Sequence, residues 1–181
     1  MKIVLALSWS LLAGAALAQS HQQPYAGQEK RAVKALSETE LADLLAGRGM
    51  GLAKAAELNG YPGPMHVLEH AAALKLTGAQ REAVEAVRAR MAAAAQTLGR
   101  EIVAAETALD GAFAAKRIDG GTLKSQTDAI AALMGRLRAV HLAAHLETAP
   151  LLTPAQLAQY AALRGYGDQA KPQDRHPHKH H

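Results

Sequence analysis

Between Val84 and Phe113 the apolar residues Val84, Val87, Met91, Ala94, Leu98, Ile102, Ala105, Leu109 and Phe113 recur at steps of three or four. Only an α-helix places such a row on one face, and a row this long needs a partner of similar length to cover it. The helix predicted from it, over about 78–116, is roughly 55 Å long at 1.5 Å per residue. A second row, Leu123, Ile130, Leu133, Leu137 and Val140, follows the turn sequence Ile118-Asp119-Gly120-Gly121 and predicts a helix over 122–149. So short a connection between two long seams makes an antiparallel helical hairpin.

Local signals place the remaining elements. Ser37-Glu38-Thr39-Glu40 has the spacing of a capping box, with Ser37 capping the Glu40 amide and Glu40 reaching back. The helix it starts runs through Leu41, Leu44, Leu45, Leu52 and Ala55–Leu58, and Asn59-Gly60 stops it. Gly47, Gly49 and Gly51 weaken its middle by about 1 kcal/mol each relative to alanine. Either another helix packs closely there or the segment bends. Their resemblance to a phosphate loop is superficial, because no strand precedes them and no Lys-Ser/Thr follows. Tyr61-Pro62-Gly63-Pro64 is a rigid turn, and Pro64 is well placed to open a helix over Met65–Leu74. Thr77/Gln80 and Thr153/Gln156 repeat the capping spacing; Pro150 ends the second long helix, and the last helix stops at Gly165. Alanine dominates and aromatics are only 3 %, so the expected class is all-α.

Cysteine is absent, which excludes disulfides, thiolate metal sites and a cysteine nucleophile. No catalytic constellation stands out, and the expectation is a non-enzymatic protein without an organic cofactor. The start of the chain has Lys2, an apolar run from Ile3 to Leu17 and Ala16-Leu17-Ala18 before Gln19, the pattern of a cleaved export signal over 1–18. A retained membrane anchor is the alternative, although the run is slightly short of the about 20 residues a spanning helix needs. The expected organisation is then a polar leader over 19–36, a helical domain over 37–166 and a histidine-rich tail over 167–181, in which His176, His178, His180 and His181 can collect metal loosely. The formal charge of +4 falls to +3 without Lys2, and both signs are interleaved along the chain. Nucleic acid is therefore excluded as an expected partner.

Two copies of one pentapeptide begin helices that flank the hairpin: Leu76-Thr77-Gly78-Ala79-Gln80 and Leu152-Thr153-Pro154-Ala155-Gln156. The chain resembles the LTxxQ family of periplasmic proteins, which includes the Spy- and CpxP-like stress proteins and the CnrX- and ZraP-like metal-response proteins. The resemblance, over roughly 37–166, implies a four- to five-helix hook, a homodimeric cradle, a periplasmic location and no catalysis. It further implies either binding of divalent transition metal or ATP-independent protection of unfolded envelope proteins, with a membrane-bound signalling partner for a sensor.

The histidines bear on that choice. His66/His70 and His141/His145 are each spaced i, i+4, which puts both rings of a pair on one helix face. His141 extends the row Ile130, Met134, Leu137 and should point into the bundle. In the CnrX-like branch an HxxxH pair before the first LTxxQ, a carboxylate from the following helix and a second pair near the end of the hairpin hold the metal. Carried over residue by residue, the ligand set is His66, His70, His141 and His145 with Glu85, or in second place Glu82; Glu69 and Glu147 are weaker candidates. The second pair departs from that branch, being His plus His rather than His plus Met. Four imidazoles with a carboxylate suit Zn, Cu, Ni or Co rather than Ca or Mg. The alternative is that the histidines pack as hydrogen-bonded core or edge residues. Met50, Met65, Met91 and Met134 offer thioethers either as ligands or as adaptable client contacts, with Met91 and Met134 on the seams.

Overall fold

The computed structural model describes residues 23–166, and every regular element among them is helical. The expected signal peptide and the histidine-rich tail lie outside the described residues. Residues 23–30 belong to a separate unit, where Gln28–Lys30 form one 3-10 turn and the Gln28 side chain donates to the Pro24 carbonyl at 3.1 Å.

The second unit starts at Arg31 and carries six α-helices: α1 Glu38–Ala46, α2 Lys54–Glu57, α3 Pro64–Glu69, α4 Gly78–Ala114, α5 Gly120–Thr148 and α6 Pro154–Leu163. The paired seams produce the expected hairpin, in which α4 and α5 pack along each other and α1 and α3 lie against α4. Asp119 starts α5 by accepting the Thr122 amide at 2.7 Å. Both halves of the box are present at Ser37/Glu40, Thr77/Gln80 and Thr153/Gln156. Part of the segment read as a leader packs as well: Val33 is buried, and Lys34 pairs with Asp110 at 2.8 Å.

The glycine series divides the first predicted helix into two. Gly47 adopts φ 66°, the left-handed region that favours glycine, and caps α1. An added Cβ there would sit 3.0 Å from the Gln96 amide nitrogen on α4. Gly99 answers it from the other side, since a side chain at that position would overlap the Leu44 carbonyl. Both expectations for this region hold: the segment bends, and it does so where two helices touch backbone to backbone.

Burial falls in two clusters. Leu44, Ala95, Leu98, Ile102 and Leu137 join α1 to the hairpin. Val67, Leu74, Val84, Leu152 and Tyr160 gather α3, α6 and the start of α4. Gly47, Met91 and His141, from the end of α1, from α4 and from α5, border a cavity.

A candidate metal site

The cavity has a volume of about 600 Å³. Its wall is drawn from the end of α1, the α1–α2 loop, α2, the start of α3, the first half of α4 and the second half of α5. His66, His141 and His145 all line it, although 75 or more positions separate the first from the other two. His70 and Glu85 do not. The structure therefore brings together three of the four paired histidines, and leaves Glu82 and Glu85 exposed on α4.

Each of the three rings has a distinct setting. His145 Nδ1 lies 2.7 Å from the Tyr61 carbonyl oxygen. A carbonyl only accepts, so Nδ1 carries a hydrogen and donates it. His66 Nδ1 donates to a Glu69 carboxylate oxygen at 2.8 Å, and that hydrogen bond holds the Glu69 carboxyl below the usual carboxylate range. Glu69 is thus a partner to a histidine, through an i, i+3 spacing that does share a helix face. His141 is only 3 % exposed, as its place in the apolar row predicts, and its Nε2 has no hydrogen-bond partner. Burial, and secondarily the neighbouring His145, push its pKa down, so the ring is neutral.

Gly63 gives the His145 ring room. A Cβ there would lie 2.9 Å from both Cε1 and Nε2 of His145, whereas one on Gly49 would meet His141 Nδ1 at an ordinary 3.8 Å.

Glu57 is the carboxylate that spacing did not reveal. It is 9 % exposed, lines the cavity and approaches His145 Nδ1 at 3.6 Å. Its other partners are the Tyr160 hydroxyl at 2.6 Å, Arg164 Nε at 3.1 Å and the Gly63 amide at 3.3 Å. Desolvation, reinforced by the hydrogen bond to Glu57, raises the Tyr160 pKa. The carboxylate thus ties α2 and the turn into α3 to α6. Glu147, by contrast, faces Arg90 at 2.7 Å and belongs to the outer surface.

Among the described residues, no three His, Cys, Asp or Glu side chains stand close enough to hold one ion. The nitrogen donors share a wall without forming a closed set. A metal held by them requires side-chain movement or donors of another kind.

The pentapeptides settle the relationship to known proteins. Gln80 and Gln156, 76 positions apart, exchange side-chain hydrogen bonds: Nε2 of Gln80 donates to Oε1 of Gln156 at 2.8 Å, and Nε2 of Gln156 donates back at 3.1 Å. Each amide also donates to the chain preceding the other repeat, Gln80 to the Leu151 carbonyl at 2.9 Å and Gln156 to the Leu74 carbonyl at 3.1 Å. The glutamines of the two capping boxes are one reciprocal clasp. A family model described as LTXXQ motif family protein matches residues 65–164, which include both repeats and the hairpin. The chain belongs to the LTXXQ motif family.

No curated protein and no solved structure matches this LTXXQ protein. No described helix is long and apolar enough to cross a membrane.

Proposed function

We propose that this LTXXQ protein is a non-enzymatic protein of the periplasm that binds a transition-metal ion in the cavity, in heavy-metal sensing or resistance, with His66, His141 and His145 as its nitrogen donors. The observation carrying this reading is the state of the three rings. His66 and His145 each donate Nδ1–H to an acceptor, which leaves Nε2 as the nitrogen for a metal, the outer-shell arrangement that orients imidazoles. His141 contributes a neutral, buried ring with an unused nitrogen. A bound ion supplies charge and fixed geometry, not catalysis. The chain's part is to present three imidazoles along one wall.

Calorimetric titration of the chelator-treated protein with Zn, Cu, Ni and Co tests the proposal. Alanine at His66, His141 or His145 is expected to weaken binding by about 10-fold or more, whereas alanine at His70 or Glu85 leaves it near wild type. Stoichiometric binding that survives the triple replacement of His66, His141 and His145 sinks this assignment.

A second reading, an ATP-independent holder of unfolded envelope proteins acting as a homodimer, is favoured by the apolar side chains left around the cavity. Leu58 is 58 % exposed and Met65 45 %, and Met50 and Tyr166 are exposed on the same wall. Aggregation of a reduced client protein, followed by light scattering, decides it. No suppression at equimolar dimer rules the holder role out.

A further inference from the structure

We infer that the cavity is built for a soft monovalent cation, cuprous copper, held by the thioether sulfurs of Met50, Met65 and Met91 together with the imidazoles. The inference rests on the metal reading above and specifies its ion. The chain has only five methionines, and three of them line this cavity from separate places: Met50 from the α1–α2 loop, Met65 from the first turn of α3 and Met91 from α4. They share it with three of the nine histidines.

Donor chemistry supplies the first argument. Among the described residues the nitrogen and carboxylate groups do not by themselves assemble three ligands for one ion. The other side chains on this wall able to coordinate a soft ion are thioethers, which select Cu(I) over Zn, Ni and Co.

Backbone conformation supplies a second, independent argument. Met50 has φ 45°, in the left-handed region that side chains with a Cβ avoid, and it sits between Gly49 and Gly51. Glycine at position 50 would adopt this conformation without steric cost. The methionine is 38 % exposed, so core packing does not account for it. A strained backbone at a cavity wall is the kind of outlier that points to a use for its side chain.

Charge supplies a third. Imidazoles and thioethers are neutral, and the carboxylates on this wall are already engaged, Glu57 by Arg164 and Tyr160 and Asp43 by Arg48. Lys54 and Arg88 add positive charge to the lining. The desolvation penalty of an ion grows with the square of its charge, so a wall without a free anion admits a monocation far more readily than a dication.

The test measures Cu(I) affinity of the full chain without oxygen, by competition with a chromogenic Cu(I) chelator, beside calorimetry with Zn, Ni and Co. Met50→Leu, Met65→Leu and Met91→Leu keep apolar bulk while removing sulfur. The triple variant is expected to lose Cu(I) affinity by about 100-fold or more while its affinities for Zn, Ni and Co stay within a factor of about two. X-ray absorption of the loaded wild type should show sulfur neighbours on copper that the triple variant lacks. Circular dichroism identifies a variant that fails to fold, in which case the single variants carry the comparison and the absorption spectrum of the wild type still decides. Cu(I) binding unmoved by the leucines, or Zn bound more tightly than Cu(I), overturns the inference. Binding of Zn, Ni or Co through the histidines without Cu(I) does the same while leaving the metal reading standing, whereas no binding of any of the four removes both. Capture of apolar peptides in place of copper, lost in the same variants, assigns the methionines to client contact and also overturns it.

Discussion

At Gly63 a single hydrogen atom in place of a side chain decides where His145 can stand. The backbone there has φ −80° and ψ 142°, which any residue adopts, so glycine is required by space and not by conformation. A Cβ at 2.9 Å from His145 Nε2 forces the ring away, and the ring is tied by its Nδ1 hydrogen to Tyr61. Gly63→Ala is expected to cost about 1–3 kcal/mol by overpacking, seen as a lowered denaturation midpoint, and to weaken metal binding with it. Gly49→Ala is the matched control. Its Cβ meets His141 at an ordinary 3.8 Å, so its stability should stay within about 0.5 kcal/mol of wild type. Equal losses in the two variants would mean that general loop packing, and not the seat of His145, sets the requirement. Of the site's residues the sequence displayed the histidines and methionines individually. Glu57 was hidden, because its partners Tyr160 and Arg164 lie more than a hundred positions away and no periodicity links them. Glu69 stands one turn after His66, within reach of spacing, and serves that ring as a hydrogen-bond partner where the sequence offers it only as a weaker metal ligand.

Among the elements, hairpin and caps were read most completely, because an apolar seam and a capping box are properties of adjacent turns. Their boundaries shifted by a few residues. The helix expected over Met65–Leu74 ends at Glu69, and the chain then turns through Lys75 at φ 51°. The pairing of the two LTxxQ glutamines was not legible, since each already had a full role in capping its own helix. That double role predicts a coupling. Removing Gln80 strands the Leu151 carbonyl and one partner of Gln156, and removing Gln156 strands the Leu74 carbonyl in turn. Gln80→Ala and Gln156→Ala should each cost about 1–3 kcal/mol, with the double variant less than the sum by about 1 kcal/mol. Strict additivity in that cycle, from urea unfolding, would show the clasp to be two independent caps.

For the molecule as a whole, His141 sets a pH dependence of folding. Its folded-state pKa is depressed by burial, while in the unfolded chain it returns to the ordinary value near 6.5. The unfolded state therefore binds the proton more readily. This contribution to stability is full above about pH 6.5 and is lost as the pH falls towards the depressed value. Urea midpoints between pH 8 and 5, with a chelator present, should decline over that window in wild type and decline less in His141→Phe; identical slopes would remove His141 as the cause. All-α class, hairpin and family were open to the sequence because they depend on local pattern. The cavity was not, because its wall is drawn from segments remote from one another along the chain.

One carboxylate has a wider reach than its size implies. Glu57 Oε2 lies towards His145 and the Gly63 amide, while Oε1 holds Tyr160 and Arg164 at the far end of α6. A rigid group two bonds across cannot swing at one oxygen and stay still at the other. Whatever draws Glu57 inward must loosen the grip on the final helix, so occupancy of the interior has a mechanical route to the outer end of the fold.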